Sequence, residues 1–304
     1  VNFNYYGKTK TIFQEFNLDK KEINFIWLCS LILIAVTSFW LIYGWLSTPA
    51  GFYFLGLNSL SPGDTYVYFS YLEQVKQGNL FLKDLYTSES QNYYLNIFWV
   101  PSGLMAKIFN LSNLLVYQLA RIFLITVFLF LLYLFISYFY QEKRKRKSFF
   151  IFLISSSGLG FLLSPFLYHF YYLTKGYANW PIDLWVAEAN TFLTLYQSPL
   201  KIASLGLIVL IFFSFLLAIE KNKVKYSLTA GFSGLLLFHF HPFHIVTCYF
   251  ILAAFSFYLF LANKVNKKDL IKHLLIFIVL SLPPVIYYWL LVNFDPNIKI
   301  KYQQ

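Results

Sequence analysis

Along the chain, long apolar runs alternate with short polar, Lys-rich segments. The runs fall at about 25–46, 113–140, 148–168, 201–219, 226–241, 244–262 and 273–292. A helix needs about 20 mostly apolar residues to cross a hydrocarbon core of roughly 30 Å. The pattern therefore predicts an all-α polytopic integral membrane protein with about seven transmembrane helices, packed as a single transmembrane domain over 1–304. A polar stretch of about two dozen residues precedes the first run, which is too long for a signal-peptide core and lacks a small-residue cleavage site, so it is expected to stay as an anchor. The chain begins with Val rather than Met and ends just after an apolar helix, the arrangement expected of a portion of a longer protein.

Most Lys and Arg residues fall in KTKTIFQEFNLDKKE near the start, EKRKRKS at 142–148, EKNKVK at 220–225 and NKVNKKDLIKH at 263–273. Basic loops stay cytoplasmic. Seven crossings separate successive basic loops by even numbers of helices, so all four can share that side. The N-terminus is then cytoplasmic and the C-terminus external, with external segments at about 47–112 and 169–200 and a tight turn at Pro242. In the large first external loop, SPGDTYVYFSYLEQVKQGN predicts a surface helix capped by Ser61, with Pro62 at its first position and its end near Gly78. NIFWVPSGLMAKIFN at 96–110 predicts an interfacial helix, because a full crossing there would turn EKRKRKS outward.

Composition agrees: 59% apolar and 22% aromatic residues lie outside the range of soluble domains. The net charge of +11 sits in loops between apolar runs, which makes it a topology signal rather than a nucleic-acid surface. The two cysteines, Cys29 and Cys248, lie inside apolar runs and support neither a disulfide framework nor a thiolate metal site.

Candidate chemistry gathers on the external side. Asp64, Glu73, Asp84 and Glu89 fall in the first loop, Asp183 and Glu188 in the second, and His239, His241 and His244 at helix ends, leaving His273 inside. Asp64 follows a glycine at the start of a surface helix, where a carboxylate can act as general base or complete a capping box with Ser61. Glu73 is about half a turn out of phase with Asp64 and reads first as a solvated face residue. Asp84 and Glu89, with the hydroxyls of Thr87 and Ser88, have the chemistry for a divalent metal, although a solvated acidic loop explains them better. No resident cofactor is otherwise indicated.

In PIDLWVAEANTF, Asp183, Glu188 and Asn190 offer acceptors and donors for sugar hydroxyls, or an ordinary interfacial helix. FHFHPFH at 238–244 joins two apolar helices with almost no loop; His239, His241 and His244 can meet a lipid phosphate or hydrogen-bond helix-end carbonyls, with metal binding a weaker third reading. Arg121, in the outer part of the second spanning run, is expected to snorkel or to meet a phosphate, and Lys201 to snorkel.

The order of a cytoplasmic N-terminus, one crossing, and a large external loop opening on an acid resembles the GT-C superfamily of membrane glycosyltransferases, which includes protein O-mannosyltransferases and aminoarabinose transferases. Asp64 in SPGDTYVYFSYLEQ looks like that family's first-loop catalytic acid, and NYYLNIFWVPSGLMAKIF with Arg121 downstream continues the likeness. DLWVAEANTF and FHFHPFH are similar to segments of bacterial members. Thr65 stands where the family often has a second acid. The resemblance implies the shared N-terminal seven-helix module of an inverting enzyme of the plasma membrane. Such an enzyme takes a sugar from a polyprenyl-phosphate carrier and passes it to a glycan, lipid or protein acceptor at the external face. In that scheme Asp64 is the base, Arg121, His241 or His244 meets the phosphate, and Glu73, Asp84, Asp183, Glu188, Asn190 and His239 are substrate-binding candidates. The rival classes are a transporter or flippase for a lipid or anionic solute, and a non-catalytic membrane assembly protein.

Overall fold

The computed structural model describes residues 16, 18–57, 62–86, 92–158, 160, 162, 166, 186 and 190–303. Among these the regular structure is helical, with no strand. The helices are α1 (Lys20–Ser47), α2 (Pro62–Lys76), α3 (Trp99–Ile108), α4 (Asn113–Phe139), α5 (Lys143–Ile154), α6 (Thr191–Gln197), α7 (Pro199–Lys221), α8 (Val224–Phe240), α9 (His244–Leu261), α10 (Lys267–Phe294) and α11 (Pro296–Gln303).

Five of them, α1, α4, α7, α9 and α10, are long and apolar enough to cross a membrane. The run at 226–241 becomes α8, whose 17 residues fall just short of that length. The run at 148–168 begins earlier than its apolar pattern suggests, because the basic residues from Lys143 onward are already helical. Against the expectation of one helix over that run, α5 ends at Ile154 and residues 155–158 are non-helical, with Gly158 at φ +75°; beyond them the run passes largely outside the described residues. The chain divides into two compact units, one built from Ile12–Tyr66 and Tyr117–Ile202, the other from Val67–Val116 and Ala203–Gln304.

In the first unit, α1 opens on a capping box. The Glu22 amide donates to Asp19 Oδ1 at 2.8 Å, and the Asp19 amide to Glu22 Oε2 at 3.3 Å. The Lys143 ammonium, 2.8 Å away, holds the Asp19 carboxyl below its usual range. Beside this exposed pair lies a buried one. Arg146 Nη1 is 3.4 Å from Glu22 Oε1, with the two side chains 2% and 1% exposed. Tyr133 donates to the same Glu22 oxygen at 2.8 Å, while Arg146 also donates to the carbonyls of Tyr140 at 2.6 Å and Phe16 at 3.2 Å. Arg146 shares one face of α5 with the buried Phe150 and Ile154, so helical spacing turns it inward while Lys145 stays exposed. The EKRKRKS segment, read from the sequence as a basic loop between apolar runs, is thus helical from Lys143, with Arg146 buried. Phe25, Tyr133 and Phe150 pack edge to face around the pair, with ring centroids 5.2 to 6.3 Å apart.

In the second unit, α2 ends in a Schellman turn. Gly78 takes φ +100°, its amide donates to the Val75 carbonyl at 2.9 Å, and the Asn79 amide donates to that of Gln74 at 2.9 Å. Asn110, Asn222 and Asn263 take the same left-handed conformation after α3, α7 and α9. α8 and α10 approach closely: a Cβ at Gly231 would lie 2.7 Å from Leu280 Cβ, so only hydrogen fits there. α10 runs through Pro283 and Pro284, and just before them Ser281 donates to the Phe277 carbonyl at 2.7 Å and meets the Tyr249 hydroxyl at 2.8 Å. Two polar anchors are buried in this unit. His273 is held by Ser227 through Nδ1 and by Asn222 through Nε2 at 3.0 Å. Asp295 caps α11, accepting from the Asn297 amide at 3.0 Å and from the Asn92 amide at 2.8 Å.

Candidate functional site

The first unit carries the candidate site. Asp64 stands in the first turn of α2, where the helix dipole favours a carboxylate, and its side chain is 55% exposed. Lys201, in the first turn of α7, brings its ammonium to 3.9 Å from Asp64 Oδ2, although the Lys side chain is only 11% exposed. Gln197, the last residue of α6, steadies that ammonium, its Oε1 accepting at 2.8 Å. The preceding turn also fixes Tyr117, whose hydroxyl donates to the Gln197 carbonyl at 2.9 Å and lies in hydrogen-bond reach of Ser198 and Thr65. Tyr117 is within electrostatic range of both Asp64 and Arg121, so the three belong to one polar cluster.

Arg121 does not snorkel; it is 1% exposed. Its Nε donates to Gln118 Oε1 at 2.8 Å, and Nη2 to Ser38 Oγ at 2.6 Å. Nη1 donates to Thr37 Oγ1 at 3.0 Å, the Thr37 carbonyl at 3.2 Å and the Leu195 carbonyl at 3.3 Å. One guanidinium thus ties α4 to α1 and α6, which is why the interior outcompetes the interface for it. Every one of these acceptors is neutral, and among the described residues no carboxylate pairs with Arg121. A buried cation without a counter-ion costs several kcal/mol, roughly, unless an anion approaches. Two buried donors in the same unit, Gln118 Nε2 and Trp40 Nε1, also have no acceptor among the described residues.

The two charge clusters of this unit lie at opposite ends of the α1–α4 pair. Glu22 meets Tyr133 near one end and Thr37 meets Arg121 towards the other, about 22 Å apart along α1 at 1.5 Å per residue. The basic Lys143–Arg146 turn therefore sits at the end away from Arg121. A shallow, open apolar pocket of about 430 Å³ follows α1, lined by Thr48, Pro49 and residues from Phe52 to Leu57. Among the described residues no carboxylate, cation or histidine lines it, so the polar cluster around Asp64 is the better candidate for chemistry.

The remaining sequence candidates divide. Glu73, in the second unit, accepts from Asn113 Nδ2 at 3.1 Å and lies 3.5 Å from Lys76. The Asn113 bond, opposed by partial burial and helped by Lys76, holds its carboxyl below the usual range. It fastens α2 to the start of α4. Asp84 accepts from the Tyr86 amide at 3.1 Å in a local turn. Asn190 is the N-cap residue of α6, its carbonyl accepting from the Thr194 amide at 3.0 Å. Asp183 and Glu188 lie outside the described residues, as do Ser61, Thr87, Ser88 and Glu89.

The histidines form an aromatic and hydrogen-bonded group in the second unit. His239 stacks on Tyr287 at 5.2 Å, and its carbonyl accepts from Tyr288. His241 shares a 2.7 Å hydrogen bond with Ser204 through Nδ1, and its ring meets that of His244 edge to face at 4.5 Å. Among the described residues no cluster of three His, Cys, Asp or Glu side chains could hold a metal ion.

Sequence reasoning missed Lys201 as the counter-ion of Asp64, Tyr117 with Thr65, and the Glu22–Arg146 pair. A Lys in the first turn of an apolar helix, where the dipole disfavours a cation, was the one available signal for Lys201. Comparison with family models, with characterised proteins and with solved structures returns no match.

Proposed function

We propose that the chain is a membrane-embedded glycosyltransferase that moves a sugar from a polyprenyl-phosphate carrier to an acceptor at the external face. About seven helices cross in this reading. α8, about 26 Å long, spans within the lower limit for a crossing and makes a sixth, and the apolar run at 148–168 would supply the seventh. The observation that carries the proposal is the exposed Asp64 carboxylate facing the largely buried Lys201 ammonium, in the unit that also holds the buried Arg121, whose partners among the described residues are all neutral. A transferase of this kind needs a base open to the acceptor and fixed positive charge for the leaving phosphate.

In the reaction, Asp64 accepts the proton of an acceptor hydroxyl as its oxygen attacks the anomeric carbon. The bond from that carbon to the phosphate oxygen breaks with inversion, and the phosphate leaves with the electron pair. Lys201 meets the phosphate directly. Arg121, whose N–H groups are engaged by neutral acceptors, contributes the field of its charge through a medium of low dielectric. A conduit for anions would need Arg121 to line an open path, and its burial weighs against that reading.

The test is transfer in membranes supplied with a labelled lipid-linked sugar. Asp64→Asn should abolish transfer while expression stays intact. Undiminished transfer would remove Asp64 from the mechanism.

A further inference from the structure

The contact between Lys201 and Asp64 is longer than a direct hydrogen bond. An ammonium bonded to a carboxylate sits at about 2.7–2.9 Å, whereas this pair is separated by 3.9 Å while Lys201 bonds Gln197 at 2.8 Å. The two partners also differ in environment: the Lys stem is packed away and the carboxylate is open. Lys201 lies in the first turn of α7, where the positive end of the helix dipole opposes a cation and would favour an anion beside it. A flexible four-carbon side chain fixed at its base and bonded at its tip to a neutral amide can exchange one oxygen anion for another at small cost. A phosphate, as a monoester with more charge than a carboxylate or as a diester with two non-bridging acceptor oxygens, competes for that ammonium.

We infer that Lys201 is a phosphate-responsive positioning residue: its ammonium pairs with the open Asp64 carboxylate until a phosphate oxygen displaces that carboxylate from it, and the exchange frees Asp64 from the ion pair to take the acceptor's proton. The inference rests on the transferase reading for its consequence, since it orders phosphate arrival before proton removal. The exchange itself requires only the geometry of Asp64, Lys201 and Gln197. The ligand chemistry is a phosphate mono- or diester, which lipid or solvent can deliver.

The experiment uses the full chain in vesicles and reads Asp64 directly, by carbodiimide-driven coupling to a soluble amine quantified by mass spectrometry. Two arms separate the sources of phosphate: inorganic pyrophosphate added in solution, and vesicles containing a prenyl phosphate. One or both should raise Asp64 coupling at least threefold in the wild type. In Lys201→Gln, coupling should start high and respond to neither, and Lys201→Arg should restore part of the response. A response confined to the prenyl-phosphate arm assigns the site to a lipid-borne phosphate, and one in both arms to phosphate in general. Unchanged coupling in both arms, or an equal response in Lys201→Gln, overturns the inference. The two readings fail separately. Transfer lost in Asp64→Asn with no phosphate effect on coupling sinks the exchange alone, and a phosphate effect with transfer intact in Asp64→Asn sinks the transferase.

Discussion

The Glu22–Arg146 pair should be among the most sensitive points of the first unit. Glu22→Gln keeps the size of the side chain but removes its charge, leaving the Arg146 guanidinium, 2% exposed, with neutral acceptors in place of its counter-ion. Removing one member of a buried pair costs about 3–5 kcal/mol, because the surviving ion keeps its desolvation penalty and loses its attraction. Arg146→Met should cost a similar amount by stranding the carboxylate with Tyr133. The double variant strands neither charge and should regain much of the loss.

For a chain of this size 1 kcal/mol shifts the thermal midpoint by about 2–4 °C, so each single variant should melt about 6–20 °C lower in detergent. The assay is the loss of monodisperse protein with temperature, with both singles and the double measured as a cycle. Lys143→Ala, which breaks the exposed pair with Asp19, is the control and should leave the midpoint nearly unchanged. Single shifts below about 2 °C would show that water or the bilayer surface reaches the pair. A double variant equal to the sum of the singles would show that the two charges are not coupled.

Two further outcomes follow from the second unit. Glu73 has a folded-state carboxyl below its unfolded value, so its contribution to stability is present above the usual carboxylate range and is lost as pH falls through and below that range; Asn113→Ala should flatten this acid limb, seen as thermal midpoints measured between pH 3 and 7. The effect should be modest, because the Glu73 side chain is 47% exposed. Asp295→Ala removes the acceptor for the Asn92, Asn297 and Ile298 amides and should speed amide exchange at both Asn92 and Asn297; protection unchanged at Asn92 would show that this segment is held by Tyr287 alone.

Five long apolar helices, α1, α4, α7, α9 and α10, were legible in the sequence because their formation in lipid depends on length and hydropathy, which are properties of consecutive residues, whereas the run at 148–168 is broken after Ile154. The same holds for local stops and starts. Pro62 at a first turn and Gly78 at a helix end appear in the structure as the sequence predicts, since caps are made by neighbours in the chain. Asp64 was legible for the same reason, as an acid just after a glycine at the start of a helix.

What tertiary structure alone decided is the partner of each charge. Arg121 was expected to reach an interface or a phosphate, but Thr37, Ser38 and Leu195 come from segments more than 70 residues away and satisfy it inside. Glu73 was read as a solvated face, yet Asn113 and Lys76 hold it. Arg146 looked like one more basic loop residue until α5 turned it onto Glu22 across 124 positions. A hydrophobic run reports the solvent around a helix, which lipid supplies uniformly. A charge inside that solvent must find its own partner, and only the packing of distant helices says which one it finds.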